Sequence, residues 1–175
     1  MQPPPWTRLQ ARWAPTGETS DDLADAIVLE ELDGDRSLLL GPGEDARTRS
    51  AAWIPFALRQ GYPAEPEPHL AAARHLLVVR VFATDADRDE FRRWLDEEHC
   101  GLQVSLPGVH WYLGYEEIGA RHSFLNLWSI DDPAVANGEA WSAVRDTPWW
   151  ARVAHVVATS DRAVYRRLAA PNVQP

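Results

Sequence analysis

Between residues 76 and 130 the chain alternates hydrophobic patterns in a fixed order, and that order narrows the fold more than any other feature. Leu76–Ala83 is rich in Leu and Val, bounded, and apolar apart from Arg80, which predicts a strand. Thr84 or Asp85 can cap a following helix, on which Phe91, Trp94, Leu95, Glu98 and His99 recur at helical period. Gly101 is the expected stop of that helix. After Leu106-Pro-Gly108, Val109–Tyr115 and Ser123–Ile130 read as two strands of a hairpin turning near Gly119. Asp131-Asp-Pro133 opens a helical region through Trp141, Val144, Trp149, Trp150 and Val153, broken at Pro148. Residues 156–165 supply a last strand or helix. The sum is an α+β, ferredoxin-like arrangement: an antiparallel sheet with helices on one face.

Gln60–His69 carries three prolines and reads as a linker. It divides the chain into residues 1–69, a degenerate N-terminal half with its linker, and residues 70–175. The first half admits two readings. Leu9–Trp13 as a strand and Ser20–Leu32 as a capped helix would echo the second half at a shift of 67 residues, making a tandem pseudo-dimer. Alternatively, Asp33-Gly34 turns a hairpin between Ile27–Leu32 and Arg36–Leu40.

Composition removes several function classes. The formal net charge is −9, which disfavours nucleic acid and anionic lipid as partners. No apolar run is long enough to span a bilayer and no signal peptide is evident, so a cytoplasmic location is expected. Cys100 is the only cysteine, excluding an internal disulfide and multi-cysteine metal sites. All 17 basic residues are arginine. Without lysine there is no Schiff-base nucleophile and no P-loop lysine. No metal and no cofactor is expected, with haem ligation by one histidine left open.

Strand alternation groups the candidate chemistry. Leu77, Val79 and Val81 oppose Leu76, Val78, Arg80 and Phe82; His110 and Tyr112 oppose Val109, Trp111, Leu113 and Tyr115. Phe124, Asn126 and Trp128 share a face opposite Leu125 and Leu127. A turn centred near Gly119 sets His110 beside Trp128 and Tyr112 beside Asn126. One mixed face then holds Arg80, His110, Tyr112 and Asn126 among aromatics, the make-up of a small-molecule site.

Residues 76–155 resemble the dimeric α/β-barrel superfamily, in particular its EthD-like branch. The resemblance rests on the strand Leu76–Ala83, Phe91-Arg-Arg-Trp-Leu-Asp-Glu-Glu-His99, Leu106-Pro-Gly-Val109, Phe124-Leu-Asn-Leu-Trp128 with Asp131-Asp-Pro133, and Thr147-Pro-Trp149. It implies two four-stranded sheets closed into a barrel, normally as a homodimer, and offers His99 as an acid–base residue. The chain departs from the usual pattern after His99, where Cys100-Gly101-Leu102 replaces a Leu-Pro.

The expected function is a small-molecule enzyme: a cofactor-independent lyase, isomerase or cyclase on a hydrophobic aromatic or polyketide-like carbonyl compound. A cofactor-free monooxygenase and a non-catalytic ligand-binding or dimerisation protein are the alternatives. His99 and His110 are the candidate proton carriers, and Arg80 and Tyr112 the candidate oxyanion stabilisers. Phe82, Trp111, Phe124, Asn126 and Trp128 are the candidate substrate-binding residues. Competing readings make His99 a helix-end interaction, Arg80 an interstrand ion pair and the aromatic face a dimer interface.

Overall fold

In the computed structural model, which describes residues 8–16, 27–42, 53–62, 70, 73–119 and 123–168, one chain closes an eight-stranded antiparallel barrel. The strands are β1 Arg8–Pro15, β2 Ile27–Glu31, β3 Arg36–Pro42, β4 Ile54–Tyr62, β5 His75–Phe82, β6 Val109–Glu117, β7 Ser123–Ile130 and β8 Asp161–Arg167. Around the barrel they run β1-β3-β2-β8-β5-β7-β6-β4. The first four strands thus lie in the order β4-β1-β3-β2 and the last four in the order β8-β5-β7-β6. Both halves share one strand order, the ferredoxin-like one. Two seams join them, β2 to β8 and β4 to β6.

The hairpin reading of the first half is the one realised: β2 and β3 pair from Ile27↔Leu40 to Glu30↔Ser37. Of the expected helix Ser20–Leu32, residues 27–31 are strand instead, and residues 20–26 lie outside the described region. The shift of 67 residues carries Arg8 onto His75 but sets Glu30 and Glu31 of β2 against the helix that holds Glu98. Shared strand order therefore rests on insertions of unequal length, and no constant shift recovers it. Gln60, Gly61 and Tyr62 belong to β4, so the Pro-rich stretch begins after them.

The barrel interior is packed. Leu9, Leu38 and Leu40 meet Leu76, Val78, Trp111, Leu113, Leu125 and Leu127 in one buried cluster, burying apolar area from both halves at about 25 cal/mol per Å². A second cluster lies outside the C-terminal half of the barrel, where Leu77, Val79, Phe124 and Trp128 are covered by helices. These are α1 Arg88–Trp94, a π-helical turn Leu95–His99, α2 Cys100–Val104, α3 Pro133–Asn137, α4 Glu139–Ala143 and α5 Pro148–Val157.

Local chemistry sets the helix boundaries. Asp132 caps α3 by accepting from the Ala134 N–H at 2.8 Å, and Thr147 caps α5 by accepting from the Trp150 N–H at 3.0 Å. Each cap is followed by proline at the first helical position, where a missing N–H costs nothing. Gly101 does not stop the first helix, which continues through α2 to Val104. Gly108, with φ +80°, does turn the chain into β6; a Cβ there would lie 2.9 Å from the Val135 side chain. No helix among the described residues is long and apolar enough to cross a membrane.

Candidate active site

The site is a cleft between the outer face of the C-terminal sheet and its helices, with a volume of about 40 Å³. Val79, Val81, Asn126 and Trp128 form its floor; Trp94, His99, Gln103, Trp141 and Trp150 form its helical wall. Its construction depends on the π-helical turn. The Cys100 N–H donates to the Leu95 carbonyl, five residues back, so the turn is one residue wider than an α-turn. Residues five apart diverge on a regular α-helix. Here Trp94 and His99 stack instead, centroids 3.9 Å apart and planes 25° apart.

The same turn sends Glu98 elsewhere. Its carboxylate accepts from the Trp94 indole at 3.2 Å and from the Thr147 hydroxyl at 2.8 Å. Glu98 therefore ties the first helix to the cap of α5 and does not orient the His99 ring.

His99 is buried within a continuous helix, not at a helix end. Burial, with the nearby Arg145 charge added, pushes its pKa down to about 3. The helix-end reading of His99 fails here because the helix continues through Val104. The ring is neutral at physiological pH.

Three buried polar atoms around this cleft lack hydrogen-bond partners: His99 Nδ1, Gln103 Oε1 and Trp128 Nε1. Buried polar groups are almost always paired, so a cluster of orphans gives the cleft polar groups that water or a ligand can satisfy. Asn126 is the fourth polar group. Its Oδ1 accepts from the Tyr112 hydroxyl at 2.7 Å, and its Nδ2 donates to the Val79 carbonyl at 3.3 Å. One amide N–H is left over for the cleft.

Tyr112 does not line the cleft; it holds Asn126 from below. Its hydroxyl in turn accepts from Arg59 Nη2 at 3.0 Å, and Arg59 also ion-pairs with Asp96 on the π-helical turn. Gly114, paired across from Asn126, makes this possible. A Cβ at Gly114 would stand 2.1 Å from the Tyr112 hydroxyl oxygen. Burial pushes the Tyr112 phenol well above its ordinary pKa and the neighbouring Cys100 thiol up to about 12.

The expected convergence of Arg80, His110, Tyr112, Asn126 and Trp128 on one hollow does not occur. β5 pairs Val79 with Asn126 and Arg80 with Leu125, so Val79 faces the cleft and Arg80 the other side. Arg80 ion-pairs with Glu117 at 3.2 Å, its guanidinium 4.9 Å from the Trp13 ring and 4.6 Å from Phe82. That is the interstrand-pair reading. The hairpin register differs by two residues from the expected one: Tyr112 faces Trp128, and Gly114 faces Asn126. An irregularity between Val109 and Trp111 leaves His110 half-exposed, its Nε2 2.5 Å from Asp131 Oδ1. Trp111 points into the barrel and Phe82 is 43% exposed, so neither lines the cleft. Phe124 is buried beside it, edge-on to Phe91 at 5.2 Å. Gln103, Arg145 and Arg162 line the cleft and were not among the sequence candidates. The one signal for Arg145 was its place four residues after Trp141, on the same helical face.

No family model and no curated protein sequence matches the chain. Its fold does match solved structures. An anthrone oxidase-like protein aligns with 93% of this chain and 92% of its own, at 15% identity and TM-score 0.61. A monooxygenase-like protein from Listeria innocua aligns over 95% and 98%, at 12% identity and TM-score 0.60. A heme-degrading enzyme from Listeria monocytogenes aligns over 91% and 98%, at 10% identity and TM-score 0.57. At these identities the likeness is one of fold alone: the chain shares the ferredoxin-like fold of these proteins.

Proposed function

We propose that the chain is a small-molecule enzyme that binds an aromatic carbonyl compound in the cleft and stabilises its enolate. The orphaned polar set carries this reading. The Trp128 indole N–H and the remaining Asn126 amide N–H are donors on one sheet face, set among aromatic rings. Donors fixed in a dry site stabilise developing oxyanion charge more than water does. The neutral His99 ring is a weak base, because useful proton transfer needs a pKa near the working pH. The substrate that suits such a site is therefore itself acidic, an anthrone or phenol whose anion forms without a strong base.

That preference favours oxygenation of the electron-rich anion by molecular oxygen, and the names of the structural neighbours agree with it. A cofactor-independent lyase, isomerase or cyclase would pass through the same enolate and is the second reading, favoured by the donor pair alone. Motifs such as Trp94 with Glu98 and Thr147-Pro-Trp149 support placing the second half with the EthD-like branch.

A cavity of about 40 Å³ holds a few waters, so a three-ring substrate requires the cleft wall to open around it. Anthrone is the direct probe. The reading expects one O2 consumed per anthrone, giving one anthraquinone and one water. Asn126→Ala and Trp128→Phe are each expected to lower kcat about a hundredfold. The reading fails if anthrone neither quenches tryptophan fluorescence nor exchanges its methylene protons with D2O faster in the protein's presence.

A further inference from the structure

Arg145 and Arg162 both line the cleft, in a chain whose net charge is −9. Among the described residues, no carboxylate stands within ion-pairing distance of either. Arg145 lies beside the Trp150 ring, 5.4 Å from its centroid. Arg162 is anchored by the Asn137 side chain at 3.3 Å and by the Ala136 carbonyl. The two guanidiniums also sense one another: burial, and next the Arg145 charge, lower the pKa of Arg162. Eight of the fourteen arginines among the described residues have acidic partners, among them Arg36 with Glu31 and Asp161, Arg88 with Glu116, and Arg152 with Glu90. Two neighbouring cations without one, beside the unpartnered donor of the Trp128 indole, leave a place short of acceptors that an anion would supply.

We propose that Arg145 and Arg162 form a carboxylate subsite, and that the ligand of the cleft is an aromatic carboxylate. This deepens the proposed function and rests on its placement of the aromatic body against Trp128, Trp141 and Trp150. Guanidinium groups suit the role because their N–H forks match the two oxygens of a carboxylate and remain charged at any physiological pH. The carboxylate would bridge the pair, relieving their mutual repulsion, while the ring system covers the apolar floor. Specificity follows: an uncharged ring of equal size leaves the two cations uncompensated.

The test compares 2-naphthoate with its neutral isostere 2-naphthamide by tryptophan fluorescence quenching and calorimetry. The wild-type protein should bind the carboxylate at least tenfold more tightly at low salt, with the advantage shrinking in 0.5 M NaCl. Arg145→Gln and Arg162→Gln should each remove about tenfold from the naphthoate affinity and leave naphthamide binding unchanged, with Arg145→Lys restoring part of it. Equal affinity for the two compounds in the wild-type protein overturns the carboxylate subsite and leaves the cleft intact. Loss of both ligands in the folded arginine variants makes the pair structural and also overturns it. If neither compound binds the wild-type protein, the cleft reading itself falls, and this proposal with it.

Discussion

The guanidinium of Arg59 donates to the phenol oxygen of Tyr112 at 3.0 Å, reaching from the first half of the barrel to the second. Tyr112 then donates to Asn126, so a residue on β4 fixes the amide on the floor of the cleft through one intermediary. Removing the hydroxyl in Tyr112→Phe leaves one donor, on Arg59, and one acceptor, on Asn126, without this partner, at a cost of about 1–3 kcal/mol. Denaturant unfolding should show that loss. The quenching response to anthrone should weaken because Asn126 is no longer held in one orientation.

Gly114→Ala acts on the same contact from the opposite side. The added methyl meets the Tyr112 hydroxyl and Arg59, which a packed barrel cannot move aside freely. A destabilisation of about 1–3 kcal/mol is expected. In combination with Tyr112→Phe the loss should be smaller than the sum of the two single losses, because phenylalanine removes the nearest of the atoms that the methyl strikes. Strict additivity in a double-mutant cycle would show that Gly114 has a different role.

His99 makes stability depend on pH in a defined window. Its folded pKa is depressed to about 3, against 6.5 for the free side chain. Above pH 6.5 both states are neutral and the residue adds no pH dependence. As pH falls below 6.5 the unfolded chain takes up a proton that the folded chain refuses, so stability drops until about pH 3. His99→Phe keeps a ring on Trp94 and removes this proton linkage. Between pH 7 and 4 the wild-type protein should lose about 3 kcal/mol relative to the variant. Parallel pH profiles would mean that His99 titrates normally.

Thr147 serves two partners, capping α5 and donating to Glu98. Thr147→Val preserves shape and loses both bonds, so a decrease of about 1–2 kcal/mol is expected. Thr147→Ser should recover most of it. Thermal melts of the three proteins decide the matter; a serine variant no better than valine would point to the methyl group as the important part.

Much of the second half was legible in the sequence because its patterns are local. Leu76–Ala83, the hairpin around Gly119, the Pro-Gly turn at Gly108 and the proline-led helices all follow from alternation or from φ preferences. What escaped was relational. A two-residue slip in hairpin register moved Trp128 from His110 to Tyr112, and only cross-strand packing sets that register. Alternation alone places Arg80 and Phe82 with the candidate site, because a strand apolar on both faces does not say which face meets the helices. The π-helical turn has no signature in hydrophobic period, yet it decides where both Glu98 and His99 point. In the first half, β2 and the turn after it were readable from Asp33-Gly34, whereas its strand order became evident only from pairing.

When a barrel is assembled from two copies of one gene product, each substitution is written on both sides of the axis. Here the two halves are consecutive lengths of one polypeptide, and each can acquire residues that its counterpart never carries. Arg59 shows the result: β4 contributes a side chain that holds Tyr112, and through it Asn126, on the other half's sheet, a one-way loan that strict twofold symmetry would have to repeat. One sheet can thereby serve as scaffold for the other, and mutations in the first half can tune a cleft that lies entirely over the second.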